Sequence, residues 1–416
     1  MLDPASGVDD ALDLLIEDGR IARLEAKIPA RGAEVADLAG LVVCPGFLDM
    51  HVHLREPGQE WKETIATGTR AAAAGGFTGV ACMPNTVPVN DSRSVTESIL
   101  QRAARDGVVA VYPIGCVSKG QDGEELAEMA DMFEAGARAF SDDGKPVASG
   151  LLLRKALEYS RLFDVPIIDH CEDAALVAGG VVHEGDVSTR MGLRGWPGVA
   201  EDVAVQRDVL LAEYTGGRLH VAHLSTAGAA DAVRRARRAG IRVPAEATPH
   251  HLTLTDEAVS GFDTNAKMNP PLRPESDRRA LLKAVQDGTV DAIVTDHAPH
   301  HADEKNVEFS RAPFGIVGLE TAVSVCLDRL VHGGAIGLPR LVEMFTSGPA
   351  RILGLPKGTL APGADADVTV LDPNRRVTVD PARFPSKSAN TPFAGWSLRG
   401  AAVMTLVSGR IVHDGR

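Results

Sequence analysis

Short, unbroken apolar runs alternate with helix-period segments through the middle of the chain, and a different texture occupies its two ends. The runs lie at 42–53, 79–84, 108–115, 137–141, 165–170, 219–223, 243–247 and 292–296. Continuous rather than alternating hydrophobicity is what strands buried on both faces require, as in a parallel sheet. Between the runs, residues 63–74, 151–163, 199–214, 227–238 and 277–287 space their apolar positions at helical intervals. Eight strand units interleaved with helices predict an α/β fold, a (β/α)8 barrel. A doubly wound open sheet is the alternative, but no glycine-rich phosphate fingerprint follows the first strand. No solenoid repeat is present.

At the ends, residues 12–16 and 20–24 alternate around Asp18-Gly19, a hairpin signal. Residues 364–371 and 402–412 are strand-like and punctuated by turns in the same way. Both ends together predict one small β-sandwich domain. The expected division is 1–44 and 356–416 for that domain, around a catalytic barrel at 45–355.

Composition narrows the partners. A length of 416 residues exceeds one ordinary core and allows a barrel with a satellite domain. A net charge of -13 argues against nucleic acid or an anionic membrane as partner. The one basic knot, Arg234-Arg235-Ala236-Arg237-Arg238, falls in a helical pattern and reads as a solvated face. The five cysteines (Cys44, Cys82, Cys116, Cys171, Cys326) are scattered, with no C-x-x-C pair. Without a signal peptide or a membrane-length apolar segment, the expected location is the reduced cytoplasm.

The chemistry gathers where the strands end. The first ends in His51 and His53, which share one side of a strand and can reach one metal ion. The later ends carry Asn85, then Asp142-Asp143-Gly144, Asp169-His170-Cys171-Glu172, His223-Leu224-Ser225, Thr248-Pro249-His250-His251 and Asp296-His297-Ala298-Pro299-His300. In a (β/α)8 barrel these ends converge on one mouth, where such folds do chemistry. Taken singly, Asp169, Glu172, Asp173 and His332 read as loop or cap residues, and Cys171 has no triad to make it a nucleophile. Histidines and carboxylates without paired thiols suit zinc in a catalytic site. The candidates are too many for one tetrahedral ion; they suit two, sharing a bridging hydroxide.

These residues lie in stretches that resemble metal-dependent cyclic amidohydrolases and, more narrowly, dihydroorotases of the longer bacterial type. The likeness covers nearly the whole chain. Its pieces are Asp49-Met50-His51-Val52-His53-Leu54-Arg55-Glu56-Pro57-Gly58, Met83-Pro84-Asn85-Thr86, Phe140-Ser141-Asp142-Asp143-Gly144 and Asp169-His170-Cys171-Glu172. Further along come His223-Leu224-Ser225-Thr226, Lys267-Met268-Asn269-Pro270-Pro271-Leu272-Arg273, Thr295-Asp296-His297-Ala298-Pro299-His300 and Ala312-Pro313-Phe314-Gly315. His-x-His alone is shared by a large superfamily, whereas Leu-Arg-Glu-Pro-Gly with Asn-Pro-Pro-Leu-Arg is far more specific.

The resemblance implies His51, His53, Asp143, His170, His223 and Asp296 as ligands of Zn2+, two ions per subunit. Related hydantoinases and allantoinases bridge their metals with a carboxylated lysine at the end of strand four. Here Asp142-Asp143 stands there, with Lys145 beyond the turn. The family motif favours Asp143, just before the glycine; Asp142 is the alternative, and His250 is a spare ligand the family pattern does not use. The implied substrate contacts are Arg55 and Asn85 to a ring carboxylate, joined by His300. Asn269, the Phe314-Gly315 main chain, and His53 and Leu54 complete the set. An arginine fork matches a carboxylate in plane and spacing. The polar stretch 301–312 is a candidate lid.

The implied reaction is reversible hydrolysis of (S)-dihydroorotate to N-carbamoyl-L-aspartate, in pyrimidine biosynthesis. A metal-bound hydroxide is expected to attack the ring carbonyl while Asp296 serves first as base and then as acid. An allantoinase- or hydantoinase-like cyclic amidase is the enzyme-class rival. A non-catalytic barrel partner of aspartate transcarbamoylase is the other, although such relatives lose ligands that all stand here. A homo-oligomer is expected, and assembly with aspartate transcarbamoylase remains compatible with activity. Family members usually begin with a strand leading into an Asp-Pro turn, whereas this chain starts at Met1-Leu2-Asp3-Pro4. The terminal sheet is therefore expected to be one strand short, or the start to lie upstream.

Overall fold

In the computed structural model, which describes residues 1–416, the strand Phe47–Val52 is buried at every position, as its unbroken apolar run requires. It pairs in parallel with Phe77–Cys82, which pairs in turn with Ala110–Pro113. Parallel bridges carry the series on from Gly115 to Phe140 and from Phe140 to Ile167. Ile167–Asp169 then pairs with Leu219–Val221, Val221 bridges to Ala245, and Glu246–Ala247 pairs with Ala292–Ile293. His297 finally bridges back to Val52, its carbonyl accepting from the His53 amide at 2.8 Å. The parallel neighbours thus run in chain order and return to the first strand.

Side chains from successive strands fill the space between them. Leu48, Met50, Ala81, Met83, Ile114, Ala139, Ile168, Ala222, Ala292 and Val294 form one buried cluster. A larger apolar layer lies between the strands and helices such as Ile65–Ala74, Gly150–Ser160, Val199–Thr215, Ala227–Arg238 and Glu275–Gln286. Their starts follow capping chemistry: the side chains of Thr64, Ser149 and Thr226 accept from the third residue on. Arg234 and Arg237 of the basic knot pair with Asp287 and Asp291, at 2.9 and 2.7 Å.

Two sequence expectations need correction. The run 137–141 makes no strand ladder, only the bridges at Phe140. The run 42–53 is two strands, not one. Val42–Pro45 leaves the parallel series and pairs antiparallel with Val368–Leu371, at the edge of a four-stranded sheet completed by Ser397–Val407 and Arg410–Asp414. Gly46 separates the two strands because a Cβ there would collide with Thr78.

The hairpin Asp13–Glu17/Arg20–Glu25 turns at Asp18 and Gly19 (φ 50° and 76°), the left-handed pair that a two-residue turn demands. Its Ile21 packs with Val43, Val368, Val370 and Val403, so both ends of the chain share one small core. Leu2–Asp3 pairs with Val8–Asp9, and the Asp3 carboxylate accepts from Thr359 Oγ1 and Leu360 N, both at 2.8 Å. No helix is long and apolar enough to cross a membrane.

Candidate metal centre

Strand pairing aims the two leading histidines. Asp49 faces Val80 and Val52 faces Cys82, so three steps on one strand match two on its neighbour. This one-residue bulge changes which side alternate residues take. Leu48 and Met50 join the cluster between the strands, Val52 the outer layer, and His51 and His53 the polar end. The buried Asp49 carboxylate accepts from His51 N (3.1 Å) and Thr295 N (3.2 Å), joining the first strand to the last. Burial pushes Asp49 up to about 7, against those hydrogen bonds.

Asp143 lies at the middle of the cluster. Its Oδ1 is 3.3 Å from His51 Nε2, 3.4 Å from His223 Nε2 and 3.6 Å from His170 Nδ1, and its Oδ2 is 3.4 Å from His53 Nε2. Asp296 Oδ1 lies 3.1 Å from His53 Nε2 and 3.6 Å from His51 Nε2. Five of the six sequence candidates therefore fall in two groups that share Asp143 (His51, His53, Asp143 and Asp143, His170, His223), and Asp296 joins them through His53 and His51. Asp142 does not join them: its carboxylate is taken by Val117 N, Ser118 N and Ser118 Oγ. Lys145 points away, its ammonium donating to Gln121 O at 3.0 Å.

The donors fit a metal. His51 Nε2 and Asp143 Oδ1 are buried, face each other and make no hydrogen bond. Buried polar atoms are seldom left so, and a cation between them is the partner that imidazole nitrogen and carboxylate oxygen share. Electrostatics agree. Burial would drive the His51 imidazole down, but Asp143 and Glu246 hold it well above its ordinary value. Asp143 is held well below its own by His51, His170 and His223, against burial. His53 is lowered by burial and by the Arg55 charge.

The outward nitrogens of three of the four histidines have oxygen partners, as metal-binding histidines do. His51 Nδ1 lies 2.7 Å from Glu246 Oε1, His53 Nδ1 2.9 Å from Asn85 Oδ1, and His170 Nε2 3.2 Å from Glu172 Oε2. Glu246 also takes His220 Nε2 at 2.9 Å and the His223 amide at 3.2 Å. Glu246 was not singled out in the sequence; a glutamate inside an apolar run was its only signal. Glu172, read there as a loop residue, belongs to the site. Asp173 caps the helix Ala174–Val177, as expected, and His332 Nε2 donates to Pro373 O at 2.7 Å at the surface. Cys171 is buried with its thiol 3.3 Å from Asp208 Oδ2, and burial and that carboxylate raise the thiol above its ordinary value.

The far wall carries the remaining candidates. The Arg55 guanidinium is buried, donates to Pro299 O (3.2 Å) and lies 3.5 Å from His300 Nε2, with no carboxylate among its hydrogen-bond partners. Burial lowers it to about 10. His300 Nε2 donates to Phe314 O at 2.8 Å. Asn269 donates to Glu172 Oε2 at 3.3 Å and leaves its Oδ1 unpartnered. Gly315 (φ 122°) passes so close to Ala298 that a Cβ would strike it, and His300 Nε2 would be in tight contact at 3.3 Å. Asn85 faces His53 and borders Gly144. The Leu54 side chain packs in the outer core over Gly68, so its main chain is what it can offer the site. His250 is buried near the centre with Nε2 unpartnered. The expected lid is not a bare loop: it contains the helix Ala302–Lys305, capped by His301.

Comparison with known proteins agrees with this geometry. Residues 40–229 match a family described as Dihydro-orotase-like, and residues 204–413 match the Amidohydrolase family. A dihydroorotase of Syntrophotalea carbinolica is 55% identical over 413 residues, covering 99% of this chain and 97% of that protein. One of Anaeromyxobacter dehalogenans is 57% identical over 417 residues, covering 100% and 96%. Among solved structures, an L-hydantoinase (dihydropyrimidinase) from Arthrobacter aurescens superposes with a TM-score of 0.87 at 27% identity, covering 97% of this chain and 92% of that one. Sequence identity over whole chains and a shared fold lead to one assignment: the chain belongs to the dihydroorotase family of amidohydrolases.

Proposed function

We propose that this protein hydrolyses the cyclic amide of dihydroorotate to N-carbamoyl-aspartate and closes it again in reverse, serving pyrimidine synthesis. One observation carries the reading: Arg55, two residues beyond His53, offers a buried guanidinium without a carboxylate partner beside the histidine–aspartate cluster. A substrate carrying both a carboxylate and a cyclic amide supplies what each lacks. Lys145, tied to Gln121, weighs against the lysine-bridged hydantoinase reading, although the solved structures reported above are of that class.

Two zinc ions would suit the donors: His51, His53 and Asp296 would hold one and His170 and His223 the other, with Asp143 within reach of both groups. When bound, zinc polarises a carbonyl and makes water acidic enough to attack it. The chain's own residues do the rest. Asp296, which the hydrogen bond from His53 and the nearby histidine charges keep ionised against its burial, accepts the proton of the attacking water. It then returns that proton to the departing amide nitrogen. Arg55 and His300 hold the carboxylate, and Asn269 with the Phe314-Gly315 main chain holds the ring.

The closed series of parallel pairs supports a (β/α)8 barrel at 45–355, and the shared core of the chain ends supports a β-sandwich from 1–44 and 356–416. Five free, buried cysteines suit a reducing cytoplasm. The test is turnover by the zinc-loaded protein of dihydroorotate against allantoin, hydantoin and dihydrouracil, with elemental analysis for two zincs per chain. Preference for any substrate without the carboxylate overturns the reading. Asp296→Asn is expected to lower kcat about 10²–10⁴-fold.

A further inference from the structure

Two lysine ammoniums are buried beside the substrate wall and bind only main chain. Lys267 Nζ donates to the carbonyls of Phe309 (2.8 Å), Ser310 (3.1 Å) and Ala312 (2.6 Å). Lys305 Nζ donates to those of Thr264 (2.9 Å), Lys267 (3.4 Å) and Pro313 (2.8 Å). An ammonium has three N–H donors, so every donor of both lysines is matched by a carbonyl oxygen. The two reach in opposite directions. Lys267 extends from the segment before Asn269 to the segment before Phe314, and Lys305 extends back from the second segment to the first. Gly315 N donates to Lys267 O at 2.9 Å, tying the same two segments once more. The Lys267 ammonium also lies 4.6 Å from the centre of the Phe314 ring.

Burying a cation without a carboxylate is costly. Apolar packing would hold a loop shut at less expense. What the ammoniums add is position, since each fixes three carbonyls around one point. The positions they fix adjoin Asn269, which touches Glu172, and Phe314, whose carbonyl accepts from His300 beside Arg55.

We infer that Lys267 and Lys305 form a reciprocal clasp that positions the Asn269 side chain and the Phe314–Gly315 main chain against the substrate ring. They are positioning residues: their donors go to main chain and not into the metal cluster. Residues 301–312 are on this account a fixed wall rather than a lid. The inference rests on the reading of the site as a dihydroorotate pocket.

The test compares the zinc-loaded protein with Lys305→Met and Lys305→Gln, reading metal content, steady-state kinetics and amide exchange. Expected are unchanged zinc, a KM for dihydroorotate raised about tenfold or more, and kcat within about threefold. Amides of 309–315 should exchange faster while those of Phe47–Val52 do not change. Unaltered KM and exchange in a folded variant would overturn the clasp, as would parallel loss of zinc and kcat at constant KM. Failure of both variants to fold also overturns it, by making the lysines general stabilisers. If the wild-type protein does not turn over dihydroorotate, the functional reading fails while the exchange measurement still decides the clasp.

Discussion

Glu246 holds His51 Nδ1, His220 Nε2 and the His223 amide with one buried carboxylate, and so fixes two expected ligands at once. Its charge keeps the outward nitrogen of His51 protonated and leaves Nε2 free toward the centre. Glu246→Gln preserves shape and removes that charge; zinc affinity, measured by competition with a chelator, should fall about 10–100-fold. His170 carries a second expectation. Burial would lower its imidazole, but Asp143 and Glu172 raise it to about 10. A raised folded value stabilises fully below the unfolded 6.5 and loses that contribution as pH climbs to about 10. Asp143 and Glu246, both lowered, act oppositely, and their contribution is lost as pH falls through the acid range. Metal-free protein should therefore show a Tm that declines on both sides of neutrality. Glu172→Gln should flatten the alkaline decline, as thermal denaturation across a pH series will show.

At the scale of elements, one extra residue in the first parallel strand decides which side chains face the centre. Without the bulge between Asp49 and Val52, the alternation set by Leu48 and Met50 would place His51 and His53 in the outer layer. Gly46 divides that strand from Val42–Pro45, which the apolar pattern ran together because both are buried and nothing polar separates them. Gly46→Ala would force Thr78 aside where the strands part. We expect a loss of about 1–3 kcal/mol in urea denaturation.

Across the whole molecule, the C-terminal region reaches back to the site. Asn390 Oδ1 accepts from His300 N at 3.1 Å, and its Nδ2 donates to Ala298 O (3.1 Å) and Gly315 O (3.0 Å). Ser386 and Lys387 likewise bind Glu63, whose carboxylate also faces His297 Nε2 and accepts from Thr64 N and Thr67 Oγ1. Asn390→Ala leaves one buried N–H and two carbonyls unpaired, at a cost of about 1–3 kcal/mol. The same change should raise KM with bound zinc unchanged, which kinetics and metal analysis will check. The sequence alone determined the order of strands and helices, because burial on both faces writes continuous apolar runs and burial on one writes helical spacing. It also placed the histidines and acids at strand ends, since a polar residue closing an apolar run is visible locally. The resemblance favours Asp143 over Asp142, and the tertiary structure shows why; only that structure brings Glu246 and Glu172 behind the histidines and carries Asn390 to the wall. Glu246 meets His51 and Asn390 meets His300 across long stretches of chain, and Glu172, though two residues from His170, also takes Asn269 across the fold; no local pattern encodes which partner a buried carboxylate or amide will meet.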